Sequence, residues 1–250
     1  MHRLRTLLRR VDNVLWALLP GVCILCDARS NVTADLCDHC RSALPRLPMP
    51  CPRCALPLTG SVEAAATEAS CDACRSHTPP YVRTVAALRY AEPVTRMVHR
   101  LKFRGSRIDA RVLGGLLASA VANAYADRPM PDVIVPVPLS RRRLLRRGHN
   151  QAVLLAQWLD VPFEPMVCER IRDTPPQAGL SRTLRLRNLT DAFATSSRFD
   201  DRCVALVDDV MTTGTTVASL ARTLLEAGAS EVHVWTAART LPPTSKFALE

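Results

Sequence analysis

Several features are scarce in this 250-residue chain, and each scarcity excludes a class of protein. No glycine is followed by lysine, so the chain has no Walker A loop and is not a P-loop nucleotide hydrolase. No stretch approaches the ~18 consecutive apolar residues of a transmembrane helix, so we expect no membrane span. Aromatic residues make up only 4% of the chain, which weighs against base stacking as the main source of affinity for nucleic acid.

Lysine is also scarce, because Lys102 and Lys246 are the only two in a chain whose formal net charge is +10. Arginine therefore carries the positive charge, and its planar guanidinium group makes forked contacts with phosphate and carboxylate groups. This composition is compatible with a polyanionic partner, although a genome biased toward arginine codons would give the same count. With 48% hydrophobic residues, the chain is apolar and long enough for one good core and a smaller module.

Cysteine, in contrast, is abundant, and its spacing indicates metal binding. Eight of the ten cysteines form four C-x-x-C pairs, a spacing that lets both sulfurs of a pair turn toward one tetrahedral ion. Two pairs complete a four-thiolate site, so the sequence predicts two structural zinc sites built from Cys23, Cys26, Cys37, Cys40, Cys51, Cys54, Cys71 and Cys74. Spacing leaves open whether the pairs combine sequentially or crossed, and His39 or His77 could replace a thiolate. Disulfides are the alternative, but paired knuckles favour zinc, and a reduced metal-binding module predicts a cytoplasmic location.

The chain divides into four predicted segments. The pattern over residues 1–20 predicts an amphipathic N-terminal helix. A signal peptide is disfavoured, because Arg9, Arg10 and Asp12 interrupt the apolar stretch that it would need. We expect this helix to dock on the body of the protein, and a basic helix that touches membrane or nucleic acid is the alternative. The remaining segments are a double zinc-ribbon module over 21–78, an α/β domain over 81–240 and a C-terminal tail over 241–250.

Strand-like and helix-like segments alternate through the α/β domain, which predicts a parallel sheet with right-handed crossovers. The uninterrupted apolar run in Asp132–Pro138 indicates a strand that is buried on both faces. The other predicted strands are Tyr81–Tyr90, Phe163–Ile171, Arg202–Asp208 and Glu231–Ala237, and the predicted helices include Glu92–Lys102, Ile108–Tyr125, Asn150–Leu159 and one that ends at Gly228. Ligands of such sheets bind beyond the carboxyl ends of the strands.

The most informative segment is Val204–Thr216, VALVDDVMTTGTT, which predicts a strand, a loop and the start of a helix. Adjacent carboxylates at the strand end, Asp208 and Asp209, can take two ribose hydroxyls and help hold a hard cation. The loop would present hydroxyls and free backbone N–H groups at a helix N-terminus, where phosphate binds well. Its residues are Thr212, Thr213, Gly214, Thr215 and Thr216. The alternative is an ordinary strand-to-helix turn with a solvated acidic pair.

Two arginine-rich segments lie near this site in the predicted topology. Ser140–Gln151 carries five arginines and no acid directly after the strand that ends at Pro138, so we expect it as a basic loop at the same sheet edge as Asp208. Arg170–Arg187 is long for a connection in a compact domain, so it is either a functional lid or disordered. Its side-chain donors are Gln177, Arg182, Arg185 and Arg187, followed by Asn188. For either segment, a solvated basic surface is the alternative explanation.

These motifs together resemble the ComF family, phosphoribosyltransferase-like proteins associated with DNA uptake in naturally competent bacteria. Val204–Thr216 is similar to the loop that binds phosphoribosyl pyrophosphate (PRPP) in type I phosphoribosyltransferases. The resemblance is also carried by the cysteine knuckles, LKFRG at 101–105, VPVPLSRRRLLRRGHNQA at 135–152 and ERIRDTPPQAGLSRTLRLRN at 169–188. It implies an α/β type I phosphoribosyltransferase fold, a parallel sheet flanked by helices, with a small N-terminal zinc-ribbon module. His149 stands where an aromatic residue is more typical of the family.

The resemblance also implies a role for each part of the site. Asp208 and Asp209 would contact the ribose hydroxyls, and Thr212–Thr216 the 5′-phosphate. The 141–147 segment, with Arg146 and Arg147, would lie near pyrophosphate. The 174–188 segment, with Gln177 and Arg187, would be the mobile loop. Magnesium would be the cofactor.

Three functions then remain open. The first is an active phosphoribosyltransferase, in which a nitrogen nucleophile of unknown identity displaces pyrophosphate at the anomeric carbon of PRPP. The second is a protein that keeps the PRPP pocket as a sensor while its arginines bind single-stranded DNA during uptake. The third is an interaction protein whose zinc module docks to a DNA-uptake helicase.

Overall fold

The computed structural model describes residues 21–30, 35–58, 70–171 and 192–242. These residues form two compact units, whose boundary falls between Leu44 and Pro45. None of the helices in these ranges combines the length and the apolarity that are needed to cross a bilayer. The predicted N-terminal helix over 1–20, the predicted mobile loop over 174–188 and residues 243–250 of the predicted C-terminal tail lie outside the described residues.

The first unit is a small metal-knuckle fold. Strands β1 (Gly21–Val22) and β2 (Arg29–Ser30) pair in antiparallel fashion, and the short helix α1 (Asp38–Ser42) follows. Cys37 caps this helix, because its Sγ accepts a hydrogen bond from the Cys40 N–H at 3.4 Å. The cap brings the second C-x-x-C pair along the chain, Cys37 and Cys40, into one turn.

The second unit holds all of the remaining elements that the structure describes. Its strands are β3 (Arg83–Arg89), β4 (Val133–Pro136), β5 (Cys168–Arg170), β6 (Phe193–Thr195), β7 (Cys203–Met211) and β8 (Glu231–Arg239). Its helices are α2 (Asp72–Ser76), α3 (Val94–Arg104), α4 (Arg107–Ala124), α5 (Arg141–Arg147), α6 (Gln151–Ala156) and α7 (Thr215–Glu226).

Four of these strands form the parallel sheet that the alternating pattern predicts. Their order is β3-β8-β7-β4, so β7 and β8 are central. The register pairs Arg83 with His233, Cys203 with Glu231 and Val133 with Val204. Because every pair is parallel, the carboxyl ends of β4 and β7 open at the same edge.

The core explains why these segments fold as they do. Strand β4 is buried along its whole length, as its apolar run predicts, and Val204–Val207 of β7 are buried as well. Helix α7 covers the sheet with Val217, Leu220, Ala221 and Leu224, which share one helical face. Burying an aliphatic side chain of this size contributes about 1.5–3 kcal/mol relative to leaving it exposed.

Three boundaries differ from the sequence-based expectation. Strand β7 continues past Asp208 to Met211, because the longer β8 supplies a partner for this stretch up to Arg239. The Ser140–Gln151 segment is not a loop over its whole length, since α5 forms there between a serine N-cap and a left-handed Gly148 with φ of 73°. Within Phe163–Ile171 only β5 is a strand, and it pairs antiparallel with β6 outside the four-stranded sheet.

Candidate functional site

The eight C-x-x-C cysteines form two clusters, each built from consecutive pairs along the chain. In both clusters the four Sγ atoms lie within 4.8 Å of one another. Cys26 and Cys37 are 3.7 Å apart at sulfur in the first, and Cys54 and Cys71 are 3.5 Å apart in the second. The pairing is therefore sequential, and neither His39 nor His77 replaces a thiolate. Four thiolates at this spacing fit a tetrahedral zinc ion, so the predicted zinc ligands come together as two sites.

The second cysteine cluster belongs to the same unit as the sheet and is joined to it by backbone contacts. The Thr84 N–H of β3 donates to Pro52 O at 2.9 Å, and its hydroxyl donates to Arg53 O at 2.6 Å. Within the cluster, the Cys71 N–H donates to Cys51 Sγ at 3.3 Å. This knuckle is thus held directly against the first strand of the sheet.

A cleft of about 140 Å³ opens beyond the carboxyl ends of β4 and β7. Asp208 and Asp209 line it, as does Thr216 from the first turn of α7. The cations on its wall are Lys102, Arg143, Arg147 and Arg170. Four cationic groups facing two carboxylates give the cleft a net positive charge, which suits a polyanionic ligand.

The two aspartates of the cleft have different surroundings, since neighbouring residues of a strand point to opposite faces. Asp209 is 6% exposed, and its Oδ2 lies 3.1 Å from the Lys102 ammonium. The alignment is not that of a hydrogen bond, so this buried oxygen has no hydrogen-bond donor among the described residues. Burial, and then the charge of Asp209, raise the pKa of Asp208 to about 8. Asp208 Oδ1 accepts the Asp209 N–H at 2.8 Å, whereas Asp209 Oδ2 has only the ion pair with Lys102 to offset its burial.

The arginine side of the cleft comes from α5. Arg147 donates from Nη1 to Gln151 Oε1 at 2.9 Å, and its guanidinium carbon lies 5.5 Å from the centroid of the Phe103 ring. Its Nε is buried and has no acceptor in the described part of the chain. Burial lowers the pKa of Arg147, and the charge of Asp209 opposes that shift. This donor is thus positioned in the cleft without an acceptor from the described protein.

The threonine turn begins where β7 ends. Gly214 adopts φ of 78°, a left-handed conformation, and directly precedes α7. The conformation favours glycine, and a Cβ at this position would in addition lie 2.8 Å from Met211 Cε and 3.0 Å from the Tyr81 hydroxyl, so these side-chain ends would have to move. The Thr213 and Thr215 hydroxyls are 2.6 Å apart beside the first turn of α7. Backbone N–H groups and hydroxyls therefore converge at one helix N-terminus, the arrangement that binds phosphate.

Comparison with known proteins identifies the family. The phosphoribosyl transferase domain model matches residues 111–245, and the double zinc ribbon domain model matches residues 14–75. The DNA utilization protein YhgH of Escherichia coli K12 is 38% identical over 230 residues, which cover 89% of this chain and 99% of that protein. The Competence protein F of Haemophilus influenzae is 34% identical, with 87% of this chain and 96% of that protein covered. The chain belongs to the ComF family.

A third relative of this ComF-family chain is the Competence protein ComFC of Bacillus subtilis, which is 31% identical over 88% of this chain and 95% of its own length. The matches confirm the predicted phosphoribosyltransferase fold with a zinc-ribbon module. The assignment to the family thus rests on matches over most of the chain, in both the zinc-ribbon and the phosphoribosyltransferase segments.

The structure of this ComF-family chain brings only part of the predicted site together. Asp208, Asp209, Thr216 and Arg147 line the cleft, whereas Arg146 on the same helix is exposed and does not line it. Gln177 and Arg187 lie outside the described residues. His149 Nε2 is hydrogen-bonded to Leu101 O at 2.8 Å, so its ring supports the LKFRG segment.

Sequence reasoning missed several residues of the ComF cleft as site residues. Lys102 lies in LKFRG and Gln151 lies in RRGHNQ. Both motifs carry the resemblance to the family, but neither indicates that the two segments are in contact. Gln151 Nε2 donates to Lys102 O at 3.4 Å, so the segments are in contact. Asn150 donates to Val137 O at 3.0 Å and fixes the start of α6 beside the strand exit. Arg143 and Arg170 also line the cleft; they belong to the two arginine-rich segments that were singled out, although neither was named individually as a site residue.

Arg239 at the end of β8 was also missed, and it links the second cysteine cluster to the threonine turn. The side chain is 4% exposed and donates from Nε to Cys54 O at 2.9 Å. Its Nη1 donates to Met211 O at 2.9 Å and also to Thr212 O. Burial lowers the pKa of Arg239, and the charge of the neighbouring thiolates opposes that shift. A buried cation therefore joins the second cysteine cluster to the start of the threonine turn.

Proposed function

We propose that the cleft binds PRPP together with Mg²⁺, and that this ComF-family protein supports DNA uptake in natural transformation. One observation carries the binding proposal. Asp209 and Arg147 both line the cleft, and each has a buried side-chain atom without a hydrogen-bond partner in the described residues. The two atoms are of opposite kinds: Asp209 Oδ2, which is ion-paired with Lys102, accepts, and Arg147 Nε donates. A ligand with hydroxyls at one end and phosphate oxygens at the other suits side chains of these two kinds. Two of the curated relatives are named competence proteins, which supports the biological context.

Each part of PRPP has a candidate partner in the cleft or beside it. Asp208 and Asp209 would accept hydrogen bonds from the ribose hydroxyls, and the Thr212–Thr216 turn would hold the 5′-phosphate at the N-terminus of α7. Arg143 and Arg147 would contact the pyrophosphate. Lys102 would then turn from Asp209 toward a phosphate oxygen. The 174–188 segment, with Gln177 and Arg187, stays a predicted mobile loop.

The carboxylate pair also fits a hard divalent cation, since carboxylate oxygens are preferred ligands of Mg²⁺. When bound, the ion would neutralise charge on the pyrophosphate leaving group. Asp208 and Asp209 are the residues that would hold or orient it. The arginines of α5 contribute a second, fixed source of positive charge for the same group.

If the protein is an enzyme, the reaction is a displacement at the anomeric carbon. A nitrogen of the acceptor forms a bond to that carbon, the bond to pyrophosphate breaks, and pyrophosphate leaves with the electron pair while the acceptor loses a proton. No described residue in the cleft has the position of an obvious base. The acceptor therefore stays open, and PRPP binding is the claim to test first.

Titration calorimetry with PRPP, in the presence and absence of Mg²⁺, tests the proposal. We expect binding that depends on Mg²⁺ and that the double substitution Asp208→Asn with Asp209→Asn abolishes, because both amides keep the shape but lose the charge. Asp127→Asn is the matched control, since Asp127 is exposed and away from the cleft. Unchanged PRPP affinity in the double variant refutes the ribose assignment.

Single-stranded DNA binding is the second candidate, and exposed arginines on α5 favour it. Arg141, Arg142 and Arg146 are exposed residues of the helix whose Arg143 and Arg147 face the cleft. Removing one arginine–phosphate ion pair should lower the slope of log affinity against log salt by roughly 0.7 for single strands. Arg146→Ala should therefore weaken binding and flatten the salt dependence, and salt-independent binding would rule this candidate out. A helicase partner and a cytoplasmic location stay predictions.

A further inference from the structure

A third cluster of metal-binding side chains lies at the edge of the sheet opposite the cleft. Cys203 begins β7, Glu231 begins β8, and the register of the two parallel strands pairs these residues. His233 follows Glu231 by two positions, so both side chains lie on the same face of the sheet. One ligand atom from each of the three residues lies within 4.8 Å of the other two. His233 Nε2 is 3.3 Å from Glu231 Oε2, close to the spacing of two ligands on one tetrahedral ion.

The histidine in this cluster is held at its other ring nitrogen. The Tyr125 hydroxyl is hydrogen-bonded to His233 Nδ1, and the Trp235 indole N–H donates to the Tyr125 oxygen at 3.1 Å. Nε2 faces Glu231 and can bind a metal shared with Cys203 and Glu231 when Nδ1 carries the ring proton and donates it to the Tyr125 oxygen. A histidine ligand whose second nitrogen is fixed by a hydrogen bond is typical of metal sites, because that bond orients the ring.

The charges around the cluster act in both directions. Burial lowers the pKa of His233, and the hydrogen bond and the charge of Glu231 oppose that shift. Burial raises the pKa of the Cys203 thiol to about 11, and the carboxylates of Glu231 and Asp132 contribute to the shift. Asp132 Oδ2 also accepts the Cys203 N–H at 2.8 Å. A cation among these groups would offset the repulsion that disfavours the thiolate.

We propose that Cys203, Glu231 and His233 form a third metal site, which binds Zn²⁺ or a similar borderline transition ion with water in the fourth position. One sulfur, one nitrogen and one oxygen ligand match the preferences of zinc and exclude the all-oxygen sites of magnesium and calcium. Binding forms a zinc–thiolate bond and releases the thiol proton to solvent. The ion would join the first residues of the two central strands. This site is independent of the ribbon clusters and of the PRPP cleft.

Zinc titration of the untagged full-length chain, with both ribbon sites already loaded, tests this proposal. We expect one further equivalent of zinc, so that the saturated protein holds about three ions. Cys203→Ser should remove the third equivalent, whereas Cys168→Ser is the matched control because Cys168 is the other cysteine outside the ribbons. With Co²⁺ in place of zinc, the third equivalent should give a weaker sulfur charge-transfer band than the four-thiolate sites.

Tyr125→Phe provides a second variant that keeps all three ligands. Loss of the hydroxyl that holds His233 should weaken the third equivalent by about 10- to 100-fold, the usual effect of removing such a support. Zinc added beyond the ribbon sites should raise the melting temperature of the wild type and of Cys168→Ser, but not that of Cys203→Ser. Saturation at two equivalents in the wild type, or a third equivalent that persists in Cys203→Ser, overturns the proposal. Either result leaves PRPP binding untouched.

Discussion

Substitution of Arg239 by methionine tests whether the second cysteine cluster and the threonine turn are mechanically linked. Methionine keeps most of the apolar stem but removes every donor. The backbone oxygens of Cys54, Met211 and Thr212 then lose a charged partner in a buried setting. Because Cys54 lies in the second cysteine cluster and Thr212 starts the turn, the substitution releases one from the other.

The size of the effect follows from the buried carbonyls. Each carbonyl that loses its donor costs about 1–3 kcal/mol, and the gain from no longer burying a cation offsets part of the total. We therefore expect the free energy of unfolding to fall by about 2–4 kcal/mol. In a unit of this size, each kcal/mol lowers the melting temperature by about 2–4 °C. A turn that is no longer held in place should also bind PRPP about tenfold more weakly, which corresponds to ~1.4 kcal/mol.

Thermal unfolding and PRPP calorimetry on the same protein preparation measure both consequences. Arg222→Met is the control, since Arg222 is an exposed arginine on α7, the helix that follows the turn. The control should change neither quantity by more than about 0.5 kcal/mol. The reasoning is refuted if Arg239→Met and Arg222→Met have the same melting temperature and the same PRPP affinity. A loss of stability with unchanged PRPP affinity would refute the link to the turn alone.

Three further predictions concern the glycine of the threonine turn, the packing of α4 and an ion pair. Gly214→Ala should lower the free energy of unfolding by about 1–3 kcal/mol and weaken PRPP binding. The reason is that alanine disfavours φ of 78° and that its Cβ would contact Met211 and Tyr81. Denaturant unfolding and calorimetry measure the two effects. Gly114→Ala should lower the free energy of unfolding by a similar amount, since its Cβ would lie 2.6 Å from the Trp158 ring. Gly115→Ala on the same helix meets open space and should instead raise the free energy of unfolding by up to about 1 kcal/mol. Equal effects of the two substitutions would contradict the packing of α4. Asp109→Ala should cost about 2–3 kcal/mol, because it leaves Arg100 without the carboxylate that it contacts at 2.8 and 2.6 Å, while water at the partly exposed Arg100 side chain offsets part of the loss. A change below about 1 kcal/mol in urea unfolding would show that this ion pair is not structural.

Much of the fold could be predicted because the sequence encodes it locally. Burial on both faces of β4 follows from an unbroken apolar run, and the buried face of α7 follows from apolar residues at helical spacing. The carboxylate pair and the threonine turn could be identified for the same reason, since strand, acids, glycine and helix start are adjacent in the chain. Their placement beside the cleft then follows from the rule that ligands of parallel sheets bind at the carboxyl ends.

Strand limits and helix starts were harder to predict. Strand β7 extends to Met211 because β8 is there to pair with it, and a partner in another part of the chain leaves no mark on the local pattern. Helix α5 was missed because its seven residues are mostly arginine and carry no clear apolar periodicity. Its caps, Ser140 and Gly148, were the only local signals.

The amino-acid sequence by itself indicated the candidate zinc-binding cysteines, the general alternation of strands and helices, and the acidic and threonine-rich segments of the cleft, because each depends on residues close together in the chain. The tertiary structure alone decided that Lys102 contacts Asp209, that the cysteine pairs combine sequentially, and that Arg239 joins Cys54 to Thr212. These contacts connect segments far apart in sequence. They depend on strand order and register, which local periodicity does not specify.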